Sequence, residues 1–190
     1  MRQTRFSLAL PLAILVIMTA FPMSATAEDE PVHKVILGLI EQAYIEDLDI
    51  SLDAKLDTGA VSASLSAYDV ETFKRGGEDW VRFRLGSEGD DAEQRELPLD
   101  HKVRIRRRLA DIDDDAKTYT RRPVVRLMVC IGERQVPMRV NLTDRRNFSY
   151  ALLIGAEGLT DLRSLIDPSE EKTAGTPECG MTLGEATDEE

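Results

Sequence analysis

The sequence predicts a mainly β fold with one short helix near its C-terminal end, and three stretches carry that prediction. Trp80 to Leu85 alternates apolar and basic residues, the period of a half-buried strand. Val124 to Ile131 and Val136 to Leu142 are apolar runs separated by Gly132-Glu133-Arg134, the pattern of a hairpin. Ala151 to Ile154 is a short apolar run stopped by Gly155.

In chain order, Lys74-Arg75-Gly76-Gly77-Glu78-Asp79 reads as the turn before the first of these strands. Arg104 to Arg108 is basic and Asp111 to Asp115 acidic. This reads as a solvated loop with facing opposite charges, with a mobile flap over a site as the sharper alternative. Val124 to Ile131 is the more buried partner of the hairpin, and Val136 to Leu142 alternates. The segment from Ala156 to Leu165 is the expected helix. From residue 169 to 190 the chain is polar and acidic, ending Asp188-Glu189-Glu190, and is expected to be disordered.

The N-terminal residues 1–27 run from Arg2 and Arg5 through the apolar stretch Phe6 to Met23 into Ser24-Ala25-Thr26-Ala27. That order of charged, apolar and small residues predicts a secretory signal cut after Ala27 and a periplasmic product. Pro11 and Pro22 interrupt the apolar stretch, and it is short for a membrane span, so no stable membrane insertion is expected after cleavage. Removing Arg2 and Arg5 with the leader leaves 22 basic against 35 acidic residues, a net charge of −13. Such a surface repels nucleic acid and anionic headgroups. Residues 28–168 suit one domain with a substantial core. An oxidising compartment permits Cys130 and Cys179 to pair. Their settings, an apolar strand and a polar tail, argue against it.

Several chemistries are disfavoured. The two histidines, His33 and His101, form no ligand motif, and no cysteines stand at metal spacing, so no metal is expected. Gly175 to Thr182 has the glycine spacing of a phosphate loop, but Met181 occupies the lysine position, so no nucleotide cofactor is expected either. Ser62, Ser64 and Ser66 lack a nucleophile elbow.

What remains is Asp57-Thr58-Gly59, which follows the apolar Leu56 and is followed by the small Ala60. Asp and Gly are both turn formers, so the triplet reads equally as an ordinary turn. Its context adds weight, because the apolar-apolar-glycine element Leu153-Ile154-Gly155 and a helix lie about a hundred residues downstream. Together with Ser62-Ala63-Ser64-Leu65, these residues resemble the retropepsin class of aspartic peptidases. More closely, the chain is similar to a bacterial retropepsin-like aspartic peptidase family often labelled an ATP-dependent zinc protease. The ordered segments Lys55 to Ala60, Asp79 to Arg84, Arg122 to Val125, Leu142 to Arg145 and Leu152 to Gly155 carry that resemblance, over residues 35–168. The chain holds ligands for neither the ATP nor the zinc of that label.

The resemblance implies a closed, acid-protease-type β-barrel and a peptide or protein substrate. It assigns the catalytic positions to Asp57, Thr58 and Gly59. With a single Asp-Thr-Gly and no internal repeat, one chain supplies half of a carboxylate dyad, so a homodimer is expected. In that scheme one carboxylate draws a proton from water while its protonated mate polarises the peptide carbonyl. Thr58 would bond across the dimer, and Gly59 would let the backbone approach the carboxyl. Relatives place an arginine where this chain has Ala156 and a histidine where it has Ser66, which leaves a catalytically silent binding or scaffold module as the alternative. A further reading pairs Asp57 with Asp144 inside one chain. Some relatives accompany glutamate ligases, which hints at trimming of glutamate-modified proteins.

Overall fold

A computed structural model describes residues 33–106 and 119–179. The expected signal segment, the last eleven residues of the acidic tail and most of the oppositely charged loop lie outside that range.

Ten strands form the body: β1 (Val35–Ile45), β2 (Ile50–Leu56), β3 (Ala63–Arg75), β4 (Glu78–Leu85), β5 (Gln94–Pro98), β6 (His101–Arg106), β7 (Tyr119–Ile131), β8 (Arg134–Thr143), β9 (Leu152–Ile154) and β10 (Ser164–Glu171). A 3-10 turn, Glu46–Leu48, joins β1 to β2, and the helix α1 (Ala156–Asp161) lies between β9 and β10. Hydrogen bonding runs β1-β2-β9-β3-β8-β7. It returns to β1 where Tyr44 pairs with Cys130 and Ile45 with Val129. Six strands therefore close into a barrel, as expected for a mainly β chain of the acid-protease type with one short helix.

The alternation read from the sequence is what fills this barrel. Leu127, Val129 and Ile131 of β7, Met138, Val140 and Leu142 of β8, and Leu152 and Ile154 of β9 are all buried in one cluster with Leu56 and Leu65. Closure leaves no open edge around the ring, so every inward apolar side chain has neighbours on all sides. Gly132, at φ +56, turns the β7–β8 hairpin in the left-handed region.

Strand β3 serves two sheets. Its first residues pair with β8 and β9 inside the barrel, and its outer half pairs with β4. The register shifts between Tyr68 and Glu71, with Asp69 at φ 50. A bulge there bends the strand away so that β4 and β5 extend beyond the ring. The helix is shorter than the sequence suggested, ending at Asp161 rather than Leu165. Leu162 turns into the core and Arg163, at φ 50, starts the reversal into β10, which pairs in parallel with β1.

Two expectations about the C-terminal end are corrected. The boundary placed after residue 168 falls inside β10, and the chain stays ordered to Cys179. Cys130 and Cys179 are joined in a disulfide, with Cα atoms 5.8 Å apart. Polar composition misled because the anchor is itself polar. Glu41 is fully buried on β1, and its carboxylate accepts from the Thr173 N–H at 3.0 Å, the Thr173 hydroxyl at 2.6 Å, the Ala174 N–H at 3.1 Å and the Gly38 N–H at 2.6 Å. A buried carboxylate supplied with this many donors fixes a segment that brings little apolar surface of its own. Gly38 is required beside it, since a Cβ there would sit 2.5 Å from the Glu170 carbonyl oxygen.

The disulfide and the Glu41 cluster hold the same arm at two points. Breaking either lowers stability: Cys179→Ser by about 2–4 kcal/mol and Glu41→Ala by about 1–3 kcal/mol from orphaned donors. Urea unfolding with and without reductant measures both. Wild-type curves that superimpose in the two conditions would contradict the role given to the disulfide.

A second, pH-dependent contribution sits at the start of β6. Asp100 accepts from Arg126 Nε at 2.7 Å and lies 2.6 Å from His101 Nδ1. The bond from Arg126, then that from His101, hold its carboxyl below the ordinary value of 3.8. A depressed carboxylate stabilises the fold above its unfolded value, and that contribution fades as the pH falls through the folded one. Asp100→Asn is therefore expected to cost about 0.5–1 kcal/mol at pH 7 and progressively less as the pH falls below 3.8. Unfolding curves on either side of that value read the difference.

Candidate active site

The Asp57 loop starts where β2 stops. Leu56 is the last paired residue of β2, opposite Ile154, and the Asp57 N–H still donates to the Ile154 carbonyl at 2.9 Å. Strand β9 therefore lies between β2, to which it is parallel, and β3, to which it is antiparallel. The loop from residue 57 to 62 crosses the end of this three-strand insert.

Inside the loop the Gly59 N–H donates to Asp57 Oδ1 at 2.9 Å, and the Ala60 N–H to the Asp57 carbonyl at 3.2 Å. Asp57 is thus a turn former in the literal sense. That use occupies one oxygen only, and Oδ2 has no hydrogen-bond partner among the described residues. Thr58 and Gly59 are exposed, and Asp57 is partly so. A Cβ at Gly59 would lie 3.3 Å from Oδ1, so the glycine keeps the approach to the carboxylate narrow but open.

The far side of the loop is clamped by the element that follows β9. The Ala156 N–H donates to the Ala60 carbonyl at 2.8 Å and the Glu157 N–H to the Val61 carbonyl at 3.0 Å. At Gly155 an added Cβ would meet the carbonyl oxygens of Ala60 and Ser62 at 2.8 Å, both rigid backbone atoms. This explains the glycine of Leu153-Ile154-Gly155: the strand must touch the Asp57 loop directly. It also explains why position 156 needs no side-chain contact here, since its backbone makes the bond.

Beside the loop lies a polar layer that the sequence reading left without a role. Along β3, Ser64 and Ser66 alternate with the core residues Ala63, Leu65 and Ala67, yet both serines are buried. Arg145, just after β8, covers them: its N–H donates to Ser66 Oγ at 3.2 Å, and Nη1 to Ser64 Oγ at 3.1 Å. Arg122 on β7 donates to Asn141 Oδ1 at 3.1 Å, and Asn141 Nδ2 in turn donates to the Ala63 carbonyl at 2.5 Å. Burial pulls both guanidinium groups below their usual value. The Arg122 charge adds to this at Arg145, while the Asp57 charge opposes it. Arg122 and Arg145 belong to segments quoted for the family resemblance, but nothing in the spacing showed that they share one polar layer, with Arg145 within reach of the Asp57 charge.

Ser66, at the position where relatives carry histidine, is an internal hydrogen-bond acceptor packed against Gly86, whose Cβ would come within 2.2 Å of its hydroxyl. Asp144 is committed elsewhere. It receives the Arg146 N–H at 3.0 Å and Nη2 at 2.7 Å, and these bonds hold its carboxyl below the ordinary value. This corrects the reading that pairs Asp57 with Asp144, since Asp144 caps its own turn. Among the described residues no group of three or more His, Cys, Asp or Glu side chains could hold a metal ion.

A closed barrel with an Asp-Thr-Gly loop clamped by an apolar-apolar-glycine strand defines the retropepsin-like class. The family model of the retropepsin-like aspartic endopeptidase RimB matches residues 36–177, and the chain belongs to this RimB-like family. A structural-genomics crystal structure of a Legionella pneumophila protein of unknown function is similar, with 31% identity and a TM-score of 0.60, covering 75% of this chain and 99% of that one. Proteins named probable alpha-L-glutamate ligase, from Shewanella pealeana and Desulfotalea psychrophila, are each 28% identical over 75% and 77% of this chain. The chain spans about a third of the length of these curated relatives, 30% and 31% respectively.

The clamp makes a direct prediction. Gly155→Ala pushes the loop off β9, so it is expected to lose roughly 1–3 kcal/mol and to broaden or shift the amide resonances of residues 57–62. A variant with wild-type stability and unchanged loop resonances would show that the contact is not constraining.

Proposed function

We propose that this protein is an exported aspartic endopeptidase, active as a homodimer in which Asp57 of each copy contributes one carboxylate. The observation that carries the reading is an Asp57 Oδ2 without a hydrogen-bond partner among the described residues, on a loop clamped from behind and exposed in front. The rim supports association of a second copy, since Val61 and Phe148 are apolar yet 70% and 59% exposed. In the dimer two close carboxylates cannot both ionise, so they retain one proton between them. The ionised member takes a proton from the attacking water as its oxygen bonds to the peptide carbonyl carbon. The protonated member hydrogen-bonds the carbonyl oxygen, and the leaving nitrogen takes up a proton as the C–N bond breaks. Gly59 N–H, already bonded to Oδ1, fixes which oxygen faces the water.

The ligase name of the curated relatives belongs to proteins about two and a half times as long, of which the matched stretch is 30% and 31%. Export is supported by the charged, apolar and small-residue order of residues 1–27 and by the Cys130–Cys179 bridge, which suits an oxidising compartment. Ala156 in place of the arginine of relatives favours the competing reading, a catalytically silent module.

Asp57→Asn separates the readings. The amide suits the turn but cannot act as a base, so turnover of a casein-type substrate is expected to fall by roughly a thousandfold or more, with the fold and dimer kept. Wild-type activity is expected to peak at an intermediate pH and fall on both sides. Retained turnover in the variant would eliminate the peptidase mechanism, and a wild type inactive at every pH would favour the silent module. Export has its own check: mass spectrometry of the protein from the periplasmic fraction is expected to find Glu28 as the first residue.

A further inference from the structure

Between α1 and the β7–β8 hairpin lies a cleft of about 420 Å3. Arg126 and Arg139 form one wall, paired directly opposite each other across β7 and β8. Glu157 and Asp161 form the other, four residues apart and so on one face of α1. All four are exposed, and the buried Met138 and Gly158 line the cleft between them. An added Cβ at Gly158 would lie 2.7 Å from Met138 Cε, so the glycine lets the helix sit low against β8 with the charged residues along the two rims.

Each wall sets like charges together. The two arginines share one carboxylate, Asp100, which lies 2.7 Å from Arg126 Nε and 3.9 Å from Arg139 Nε and also holds His101 Nδ1 at 2.6 Å. Their Nη groups have no hydrogen-bond partner among the described residues. Glu157 and Asp161 have no ion pair among the described residues. Like charges four residues apart on a helix are unfavourable, as are like charges directly opposite in a sheet. Asp161 is also the last residue of α1, where the helix dipole disfavours an anion. The walls have opposite signs, yet no guanidinium nitrogen reaches a carboxylate across the cleft within 4.0 Å. A ligand with one charge of each sign relieves both walls at once.

We propose that this cleft binds a short zwitterionic peptide, with its C-terminal carboxylate on Arg126 and Arg139 and its N-terminal ammonium on Glu157 and Asp161. The volume is that of small-ligand sites, roughly 300–1,000 Å3. A guanidinium fork takes a carboxylate bidentately, and the Nη groups are available for it. The ends of an extended peptide separate by about 3.3–3.6 Å per residue, so length selects which peptide spans the walls. Recognition is of the chain ends, whatever the side chains. Helix α1 separates this cleft from the Asp57 loop: the Glu157 amide bonds Val61 of the loop, and the same residue lines the cleft. The inference is independent of the peptidase reading.

The probes are dialanine, trialanine and tetraalanine with free ends, and trialanine with its amino end acetylated, its carboxyl end amidated, or both ends blocked. Amide resonances are followed during titration of wild type and, so that no probe is consumed, of Asp57→Asn. A free-ended peptide of fitting length is expected to shift the resonances of residues 126, 137–139 and 157–161, and blocking either end to weaken binding by roughly tenfold. In Arg139→Gln the remaining Arg126 is balanced by Asp100. That variant is expected to lose the preference for a free carboxyl end and keep the preference for a free amino end. Glu157→Gln combined with Asp161→Asn should do the converse. Arg139→Lys, which keeps the charge and loses the fork, should retain an intermediate carboxylate preference. Circular dichroism checks that each variant is folded.

No shift at the cleft with about 10 mM free-ended peptide, enough to fill even a millimolar site, would overturn the proposal. Free and blocked peptides that bind alike would do the same, as would variants that weaken all probes in equal proportion, since the charges would then serve the fold. Shifts confined to residues 57–62 would place the peptide in the Asp57 loop instead. Cleft resonances that move with protein concentration alone would assign the charged walls to contact between copies, and either result would overturn the site. The readout is binding, so a wild type without turnover leaves a positive titration standing, and a negative titration leaves the peptidase reading standing.

Discussion

The contact between Gly155 and the loop that follows Asp57 is the constraint on which the rest of the structure depends. A strand that ends in glycine can press its backbone onto the Ala60 and Ser62 carbonyls, and only then can the Ala156 and Glu157 amides reach the same loop. Three short elements follow from it. Strand β9 must insert between β2 and β3, α1 must begin immediately, and the loop must present Asp57 outward. The loop is held by backbone atoms, so its own side chains stay small and unencumbered. Ala60 and Ser62, whose carbonyls take that contact, are correspondingly small.

The barrel supplies stiffness to this contact. Leu56, Leu65, Leu152 and Ile154 are all almost wholly buried and belong to the three strands that meet at the loop. Movement of one would open a cavity among the others, a cost that large-to-small core substitutions place at several kcal/mol. Further from the site, stability comes from polar rather than apolar means. The arm after β10 is held by the buried Glu41 carboxylate and by the Cys130–Cys179 bridge. Covalent and charge-assisted anchoring of this kind fixes a segment that brings little apolar surface of its own.

The sequence revealed the parts of this fold that rest on period. Alternation in Trp80 to Leu85, Val124 to Ile131 and Val136 to Leu142 reports directly which residues face the core, and Gly132 reports the turn between them. It revealed the Asp-Thr-Gly loop and its glycine-ended partner because those residues are restricted by backbone contact, which tolerates little else. It missed what depends on pairing at a distance. The C-terminal arm looked disordered because the residues holding it, Glu41 and Cys130, lie more than forty residues away. The Arg122 and Arg145 pair was invisible for the same reason: two arginines on β7 and after β8 become neighbours only once β3, β8 and β7 are aligned. Asp144 looked like a candidate acid until its neighbour Arg146 was seen to claim it.

Asp57 is proposed to work as half of a pair shared between two copies. Titrating wild-type protein with inactive Asp57→Asn subunits under subunit exchange tests it most directly. If each active site needs an aspartate from both copies, activity follows the square of the wild-type fraction and an equal mixture retains about a quarter of the activity. Activity that follows the wild-type fraction linearly, with about half left in the equal mixture, would contradict the account, because each chain would then carry a complete site of its own.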